Sequence, residues 1–456
     1  MHPSRAHQPK VLVVVGTRPE AIKMIPVIHA LQRDGRFRLV VVSTGQHAEM
    51  VDELFCRAGV MKDVDLGVNR LGRLTLNELF AKVLLGVEEV WSSAQVPEQM
   101  VGTGRRTPSG AMACLVHGDT TSAVAAALAS FHLRIPVVHV EAGLRTENTG
   151  SPFPEEANRQ ILARLAAFHL APTSTNKSNL VHEGVDYERI LVTGNTSIDA
   201  LRWQVDQREP YADPALADLE QDETTRVVVV TAHRRENWGR GLAGIGDAVA
   251  RLAHIYPQVR FVVPLHPNPL VQDALRPRLA PYRNVSLVEP LGYADFSRLL
   301  ARACLAISDS GGVQEEAPAL GTPVLVTRET TERTEGIVAG TLELVGTDSE
   351  RIVSSARALL DDDEAYAARV ARPNPYGDGQ AAERIVQALG YVVFGSPAPA
   401  PFGSGMQRDV VLGRFGQVPD GVPALPGETS EVSSSGPVIP TQPGRAVPVP
   451  GGGAVA

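Results

Sequence analysis

The sequence predicts an α/β protein made of two doubly wound, Rossmann-like domains. Short runs rich in Val, Ile and Leu alternate with longer helical patterns through most of the 456 residues, which is typical of successive βαβ units. The alternation restarts at residue 226, after a polar stretch over 196–225 that contains two prolines. We therefore predict a first domain over residues 10–200 and a second over residues 220–370.

The first half contains six apolar runs that fit strands of a parallel sheet. Helical patterns such as "EAIKMIPVIHALQRD" (20–34) and "TTSAVAAALASFHL" (120–133) separate them. The predicted strands lie at 11–15, 38–44, 113–119, 135–142, 168–173 and 189–195.

The second half repeats this pattern and ends in a segment of different composition. Residues 97–110, before the third strand, read as a surface loop, whereas residues 396–456 contain 11 Pro and 11 Gly among 61 residues without any helical or strand period. Such a composition predicts a disordered tail. The strands predicted in the second half lie at 226–233, 259–266, 285–291, 304–310, 322–328 and 341–346.

Composition excludes several classes of protein. The formal net charge of −8 argues against a general nucleic-acid binder, although a small anion needs only local positive charge. Three scattered cysteines, Cys56, Cys114 and Cys304, predict neither a disulfide framework nor a zinc site. The apolar run that follows the polar N-terminus has only five residues, so we expect no signal peptide, no membrane span and a cytoplasmic protein.

Open α/β sheets bind ligands beyond the carboxyl ends of their strands, so the residues after each strand are the candidates for a site. The first strand is followed by "GTRPEAIK", which lacks the G-x-G-x-x-G pattern of a dinucleotide-binding turn. Gly16 at a helix start, with Arg18 and Lys23, suits an anion. A tight turn with solvated cations is the alternative.

Acidic residues follow the next strand ends of the first half. Asp119 lies in "HGDTTSAV", Glu141 in "HVEAGLRT" with Arg145 four residues later, and Glu155 in "PFPEEANR". An N-cap is the alternative reading of Asp119, and stabilisation of the positive end of a helix would explain one glutamate of the 155–156 pair. Neither explains why three acids lie at one sheet edge.

In the second half, "TAHRREN" places His233 beside two arginines, where an anion would relieve the repulsion between neighbouring cations. A surface histidine is the alternative. "SDSGGVQEEA" follows the fourth predicted strand and offers exposed amides at a helix start, a seat for phosphate, although an ordinary β-to-α turn also favours glycine. The residues proposed for phosphate and ribose are Ser310, Gly311, Gly312 and Glu316, with Arg328 and Arg333 able to offset a pyrophosphate.

These strand ends together predict a nucleotide-sugar enzyme, in which one domain holds the diphosphate and the other holds the sugar. Their motifs in this order resemble the non-hydrolysing UDP-N-acetylglucosamine 2-epimerases over about residues 10–392. The resemblance implies a glycosyltransferase-B fold in which the C-terminal helix, 375–393, completes the first domain. The motifs that carry it are "GTRPEAIKM", "HGDTTSAV", "HVEAGLRT", "PFPEEANRQ", "VTGNTSIDAL", "AHRREN", "SDSGGVQEEAPALGTPVLV", "TTER" and "NPYGDGQAAERI".

The resemblance also implies an activity and residue roles. UDP-N-acetylglucosamine and UDP-N-acetylmannosamine would be interconverted for bacterial surface polysaccharides, without cofactor or metal, through UDP and 2-acetamidoglucal. The implied catalytic residues are Asp119, Glu141, Glu155 and His233. The implied substrate-binding residues are Arg18, Lys23, Arg145, Arg159, Ser310, Gly311, Gly312, Glu316 and Arg333.

Relatives also imply a homodimer and a second UDP-N-acetylglucosamine as an allosteric activator, through Gln46, Arg73 and His266. Glu49 stands where those relatives often have glutamine, and Thr334 replaces the usual proline after Arg333. The alternatives are a hydrolysing relative that releases N-acetylmannosamine and UDP, a glycosyltransferase of the same fold, and a nucleotide-sugar sensor without activity.

Overall fold

A computed structural model describes residues 8–69, 74–93, 111–222 and 224–403. It confirms the predicted class, because two parallel sheets with interleaved helices form two Rossmann-like domains. The predicted loop over 97–110 and most of the predicted tail, from residue 404 onwards, lie outside the described residues.

The first sheet has seven strands in the order β3-β2-β1-β4-β5-β6-β7, and every neighbouring pair is parallel. Each of the six predicted runs overlaps a strand. Strand β3 was not predicted, because it has only two residues and so short a strand leaves no apolar run. The strands are β1 (Lys10–Val15), β2 (Arg38–Ser43), β3 (Val64–Asp65), β4 (Ala111–His117), β5 (Val137–Val140), β6 (Phe168–Ala171) and β7 (Ile190–Val192).

Helices connect these strands and cover both faces of the sheet. The first begins where Thr17 and Glu20 form a capping box and ends at Gly35, whose φ of 66° suits glycine. The helices of this half are α1 (Arg18–Asp34), α2 (Ala48–Arg57), α3 (Leu76–Ser93), α4 (Thr121–His132), α5 (Glu155–Leu165), α6 (Ser174–His182) and α7 (Thr196–Asp206).

The second sheet has six strands in the order β10-β9-β8-β11-β12-β13, again all parallel. Its strands are β8 (Val227–Thr231), β9 (Arg260–Pro264), β10 (Val285–Val288), β11 (Leu305–Ser308), β12 (Val324–Val326) and β13 (Leu342–Leu344). The later helices are α8 (Arg240–Ile255), α9 (Pro269–Leu279), α10 (Tyr293–Arg302), α11 (Gly311–Ala319), α12 (Thr334–Ala339), α13 (Ser349–Leu360), α14 (Asp363–Val370) and α15 (Ala381–Phe394).

The last helix, α15, packs against the first sheet rather than the second. Its buried Ile385 and Leu389 belong to the same hydrophobic core as Val13 of β1. The carboxylate of Asp199 on α7 accepts hydrogen bonds from the first two amides of α15, at 3.2 and 2.8 Å. The C-terminal helix therefore completes the core of the first sheet.

The residues after α15 continue along the edge of the first sheet. The amide of Phe402 donates to the carbonyl of Val192 on β7 at 2.8 Å, and the guanidinium of Arg384 lies 5.5 Å from the centre of the Phe402 ring. Residues 396–403, the start of the predicted tail, therefore have defined contacts. Within the described part of the chain, no helix has the length and apolarity that crossing a membrane requires.

Candidate active site

The carboxyl ends of the two sheets border one set of cavities, as expected for parallel sheets. One of these cavities has a volume of about 430 Å³, and a smaller neighbour of about 370 Å³ shares Lys23, Asp119 and Glu141 with it. Side chains from both halves line the larger cavity. They include Lys23, Asp119, Glu141, Arg145 and Arg159 from the first half and Glu315, Glu316, Arg333 and Tyr376 from the second.

Glu141 follows β5 with a φ of 62°, a region that residues other than glycine seldom adopt. Lys23 Nζ donates to its Oε1 at 2.6 Å, and His117 Nε2 lies 3.1 Å from its Oε2. Burial alone would raise the pKa of Glu141, but Lys23 and then His117 oppose that effect and bring the pKa to about 2. Burial lowers the pKa of His117 to about 3. At neutral pH Glu141 is therefore an anion beside a lysine cation and a neutral imidazole.

Asp119 follows β4, but it does not cap the next helix. Thr120 is the N-cap, because its hydroxyl accepts from the amide of Ala123 at 3.0 Å. The carboxylate of Asp119 instead accepts from Arg159 Nε at 2.8 Å and lies 2.7 Å from Arg159 Nη2. Burial raises the pKa of Asp119, Arg159 partly offsets this, and Glu141 raises it further. Asp119 is thus an acid whose proton affinity exceeds that of its neighbour Glu141.

The two glutamates that begin α5 have different environments. Glu156 is fully buried and accepts from the amide of Thr146 and from Arg159, both at 3.0 Å. Glu155 lines the smaller cavity, and its buried Oε2 has no hydrogen-bond partner among the described residues. A buried oxygen without a partner is costly, so this atom is placed to receive a ligand group.

Glu20 was missed in the sequence, although it is almost fully buried at this edge. Its Oε2 accepts from the amides of Gly16 and Thr17 at 3.0 and 2.6 Å, and its Oε1 accepts from the Thr120 hydroxyl at 2.7 Å. Burial raises the pKa of Glu20, and the bonds from Thr120 and Thr17 partly offset this. The capping-box spacing of Thr17 and Glu20 was the available signal. Glu20 ties the turn after β1 to the turn after β4, and so supports the position of Asp119.

The start of α11 forms an anion seat in the second half. A Cβ atom added at Gly311 would lie 3.2 Å from Arg333 Cζ and 3.5 Å from Arg234 Nη2, so two guanidinium groups approach this helix start closely. The free amides of the first turn and these two cations favour a negatively charged group. Arg333 thus lies close to Gly311, which directly follows the N-cap Ser310.

His233 lies next to this seat, beside a cavity of about 190 Å³ that Ser310 and His266 also line. Its Nδ1 is 3.3 Å from Oδ1 of the fully buried Asp309, and its ring stacks on His266 with 5.7 Å between ring centres. Burial lowers the pKa of His233, Asp309 raises it, and Arg234 and His266 lower it further. The His233 side chain is thus 37% exposed, but its ring has a buried carboxylate and a second imidazole as neighbours.

Two consecutive glutamates on α11 face the larger cavity. Glu315, missed in the sequence, pairs with Arg333 Nε at 2.9 Å and accepts from Asn195 Nδ2 of the first half, also at 2.9 Å. Burial raises its pKa despite Arg333 and Lys23. For Glu316, burial and then Glu315 raise the pKa to about 7. The contact between Glu315 and Asn195 joins the two halves at the base of the cleft.

The remaining predicted cations are Arg18 and Arg145. Arg18 is exposed and is absent from the lining of the described cavities. Arg145 lines the larger cavity, but its Nε and Nη2 bind the two oxygens of Glu183 at 2.6 and 2.7 Å. That pairing, between residues 38 positions apart, neutralises the charge of Arg145.

Two of the three residues predicted for allosteric binding lie within the described residues, and they line different cavities. Gln46 lines the smaller cavity and accepts from the Ser122 hydroxyl at 2.7 Å. His266 lies beside His233 in the second half, and Arg73 lies outside the described residues.

Fold and site together define the class: a two-domain α/β protein of the glycosyltransferase-B type, whose cleft combines several carboxylates with a seat for an anion. A model of the family described as UDP-N-acetylglucosamine 2-epimerase matches residues 29–390. The chain belongs to this family.

Individual relatives agree with this assignment. The UDP-N-acetylglucosamine 2-epimerase of Salmonella typhimurium is 45% identical over 385 residues, which cover 83% of this chain and 98% of the relative. Its namesake from Escherichia coli is 44% identical with the same coverage. The crystal structure of UDP-GlcNAc 2-epimerase from Neisseria meningitidis bound to UDP-GlcNAc is 39% identical, with a TM-score of 0.73 over 83% of this chain and 99% of that one.

Proposed function

We propose that this protein interconverts UDP-N-acetylglucosamine and UDP-N-acetylmannosamine by inverting C2 of the sugar. The C2 proton is not adjacent to a carbonyl, so a carboxylate cannot remove it directly. In the proposed route the C1–O bond breaks first, and its electron pair leaves with UDP. A carboxylate then takes the C2 proton, which gives 2-acetamidoglucal. Re-addition of UDP to C1, with a proton delivered to the other face of C2, gives the epimer.

The acids of the first half divide into two kinds in this route. Glu141 remains ionised beside Lys23 and is suited to stabilise positive charge that develops at C1. Asp119, whose pKa is raised, and Glu155, whose Oε2 has no partner among the described residues, are suited to carry protons. We propose that these two serve opposite faces of the sugar ring.

The groups of the second half would hold the departed UDP. The first amides of α11, with Arg333 and Arg234 beside Gly311, form a seat for the diphosphate. His233 next to this seat can donate a hydrogen bond to the leaving oxygen. Glu316 lies on the same helix and has a pKa of about 7, and it would bind the ribose hydroxyls.

One observation supports this function most directly: Asp119, Glu141 and Glu155 border adjoining cavities, and the larger of these is also lined by α11. The test is incubation with UDP-N-acetylglucosamine in heavy water, followed by NMR. We expect deuterium at C2 in both UDP-sugars without accumulation of UDP. Equal amounts of free N-acetylmannosamine and UDP would indicate a hydrolysing enzyme, and substrate that stays unlabelled after long incubation would exclude the proposal.

The carboxylate roles have a separate test. Asp119→Asn keeps the size of the side chain but cannot accept a proton, so turnover should fall by about 100-fold or more, while UDP binding changes little. Asp362→Asn is a matched control, because Asp362 caps α14 away from the cavities. Equal losses of turnover and UDP binding in Asp119→Asn would contradict the proposed role.

We also propose a cytoplasmic homodimer that a second UDP-N-acetylglucosamine activates. Leu85, Phe131 and Ile161 are exposed at 62%, 55% and 46% on successive helices that pack together, which supports a subunit contact on this layer. Light scattering should give twice the 48.7 kDa chain mass.

Activation by a second UDP-N-acetylglucosamine has its own test. A sigmoidal dependence of the initial rate on substrate concentration would support activation, and a hyperbolic dependence would contradict it.

A further inference from the structure

The loop after β8 is arranged around one buried carboxylate, that of Asp309. Asp309 follows β11, the strand next to β8, and is completely buried. Its Oδ2 accepts from the amides of His233 and Arg234, both at 2.9 Å, and from Asn237 Nδ2 at 3.0 Å. Three residues of one loop are thus held by a carboxylate that directly follows the neighbouring strand.

The same carboxylate also faces the ring of His233. Its Oδ1 lies 3.3 Å from His233 Nδ1, while the ring face is held by His266 in a nearly parallel stack at 5°. An ionised carboxylate can only accept hydrogen bonds, so a neutral imidazole in this position carries its proton on Nδ1. The lone pair of Nε2 then remains available to a ligand.

The position of Asp309 in the chain links this ring to the anion seat. The next residues are Ser310, the N-cap of α11, and Gly311, whose amide is the first of the helix and belongs to the seat. One short turn therefore orients the imidazole through its carboxylate and presents the anion-binding amides through its backbone.

We propose that Asp309 is a positioning residue for the leaving-group step: it holds His233 as the Nδ1–H tautomer, so that Nε2 is directed to a diphosphate on Ser310 and Gly311. This inference rests on the proposed function. On arrival of the diphosphate, the ring takes up a proton from solvent at Nε2. The imidazolium then donates from Nδ1 to Asp309 and from Nε2 to the leaving oxygen.

The charges around the ring explain why this proton is taken up only with the ligand. Burial, Arg234 and His266 lower the pKa of His233 and outweigh the opposite effect of Asp309, so the ring is neutral in the free protein at neutral pH. A bound diphosphate adds negative charge and raises that pKa. Without Asp309, the ring would lose both its fixed orientation and the charge that favours its protonation.

The experiment is NMR of the full-length protein with ¹⁵N-labelled histidine, with and without UDP as the probe. The His233 signals among the 12 histidines are identified by their loss in His233→Gln. We expect the Nδ1–H tautomer in the free wild-type protein and a doubly protonated ring with UDP. Asp309→Asn should abolish the tautomer preference and weaken UDP binding by about tenfold or more. An Nε2–H tautomer in the wild type would overturn the proposal, even if Asp309→Asn does not fold.

Two further comparisons separate a positioning role from a purely structural one. Asn237→Ala removes another contact of Asp309 and loosens the same loop, but leaves the carboxylate opposite His233. It should keep the wild-type tautomer, whereas loss of the tautomer in Asn237→Ala as well would overturn the proposal. The tautomer and UDP binding are measured without turnover. Absence of deuterium exchange with an intact Nδ1–H tautomer would therefore reject the epimerase function alone.

Discussion

The pair formed by Lys23 and Glu141 allows the clearest test of the electrostatics of the cleft. The two side chains are only 24% and 16% exposed, and their charged atoms are 2.6 Å apart. Removal of one partner from a buried ion pair leaves an uncompensated charge and costs about 3–5 kcal/mol. Independently, the lowering of the Glu141 pKa from 4.5 to about 2 on folding corresponds to about 3 kcal/mol of folding stability at neutral pH. Lys23→Met and Glu141→Gln should each lower the free energy of unfolding by about 3 kcal/mol.

The assay is a double-mutant cycle from urea titrations at pH 7. Lys23→Met/Glu141→Gln leaves no unpaired charge, so we expect it to be more stable than the sum of the single losses predicts, and at least as stable as either single variant. The depressed pKa of Glu141 contributes stability that is fully present above about pH 4.5 and is lost as the pH falls towards about 2. The difference between the wild type and Glu141→Gln should therefore shrink over that range.

A surface pair provides the control for this cycle. Arg251 and Glu350 are also 2.6 Å apart, but 44% and 78% exposed, and should show a much smaller coupling. Additive losses for Lys23 and Glu141, or a coupling no larger than that of the surface pair, would refute the reasoning.

Two further predictions concern packing. Gly311→Ala should weaken UDP binding by about tenfold, because its Cβ would meet the Arg333 guanidinium at 3.2 Å, whereas Gly292→Ala, at an exposed position with open space, should bind as the wild type does; calorimetric titration with UDP measures both, and equal affinities would contradict the close approach. Phe402→Ala should lower the melting temperature by a few degrees, since its half-buried ring lies beside Gly194 and under the Arg384 guanidinium, whereas Phe153→Ala, at 71% exposure, should leave it unchanged. Equal melting temperatures for the two variants would show that the Phe402 contacts add no stability.

The fold was predictable because parallel strands have a simple local signature. Each of the twelve predicted apolar runs overlaps a strand. Rows of Val and Leu between amphipathic segments give that signal without long-range information. Strand β3, Val64–Asp65, was not predicted, because it is held in the sheet by its pairing with β2 and has no apolar run of its own. Boundaries shifted mainly at the carboxyl ends, where residues such as Glu141 leave the strand to face the cleft.

The site was predictable only in part, because its residues are arranged by contacts between distant segments. The carboxyl-end rule was enough to gather Asp119, Glu141 and Lys23. It gave no sign that Glu183 would neutralise Arg145, or that Asn195 would reach Glu315 across the cleft. Those pairings depend on the relative placement of helices, which a sequence pattern does not encode.

The placement of α15 has a consequence for biosynthesis. Five of its side chains belong to the buried core beneath the first sheet, yet they are translated after every strand that the described residues contribute to the two sheets. The second sheet, by contrast, is encoded without interruption from Val227 to Leu344. On the ribosome the first domain is thus begun first but completed last. Until residue 389 has emerged, this domain presents an apolar face that chaperones could recognise.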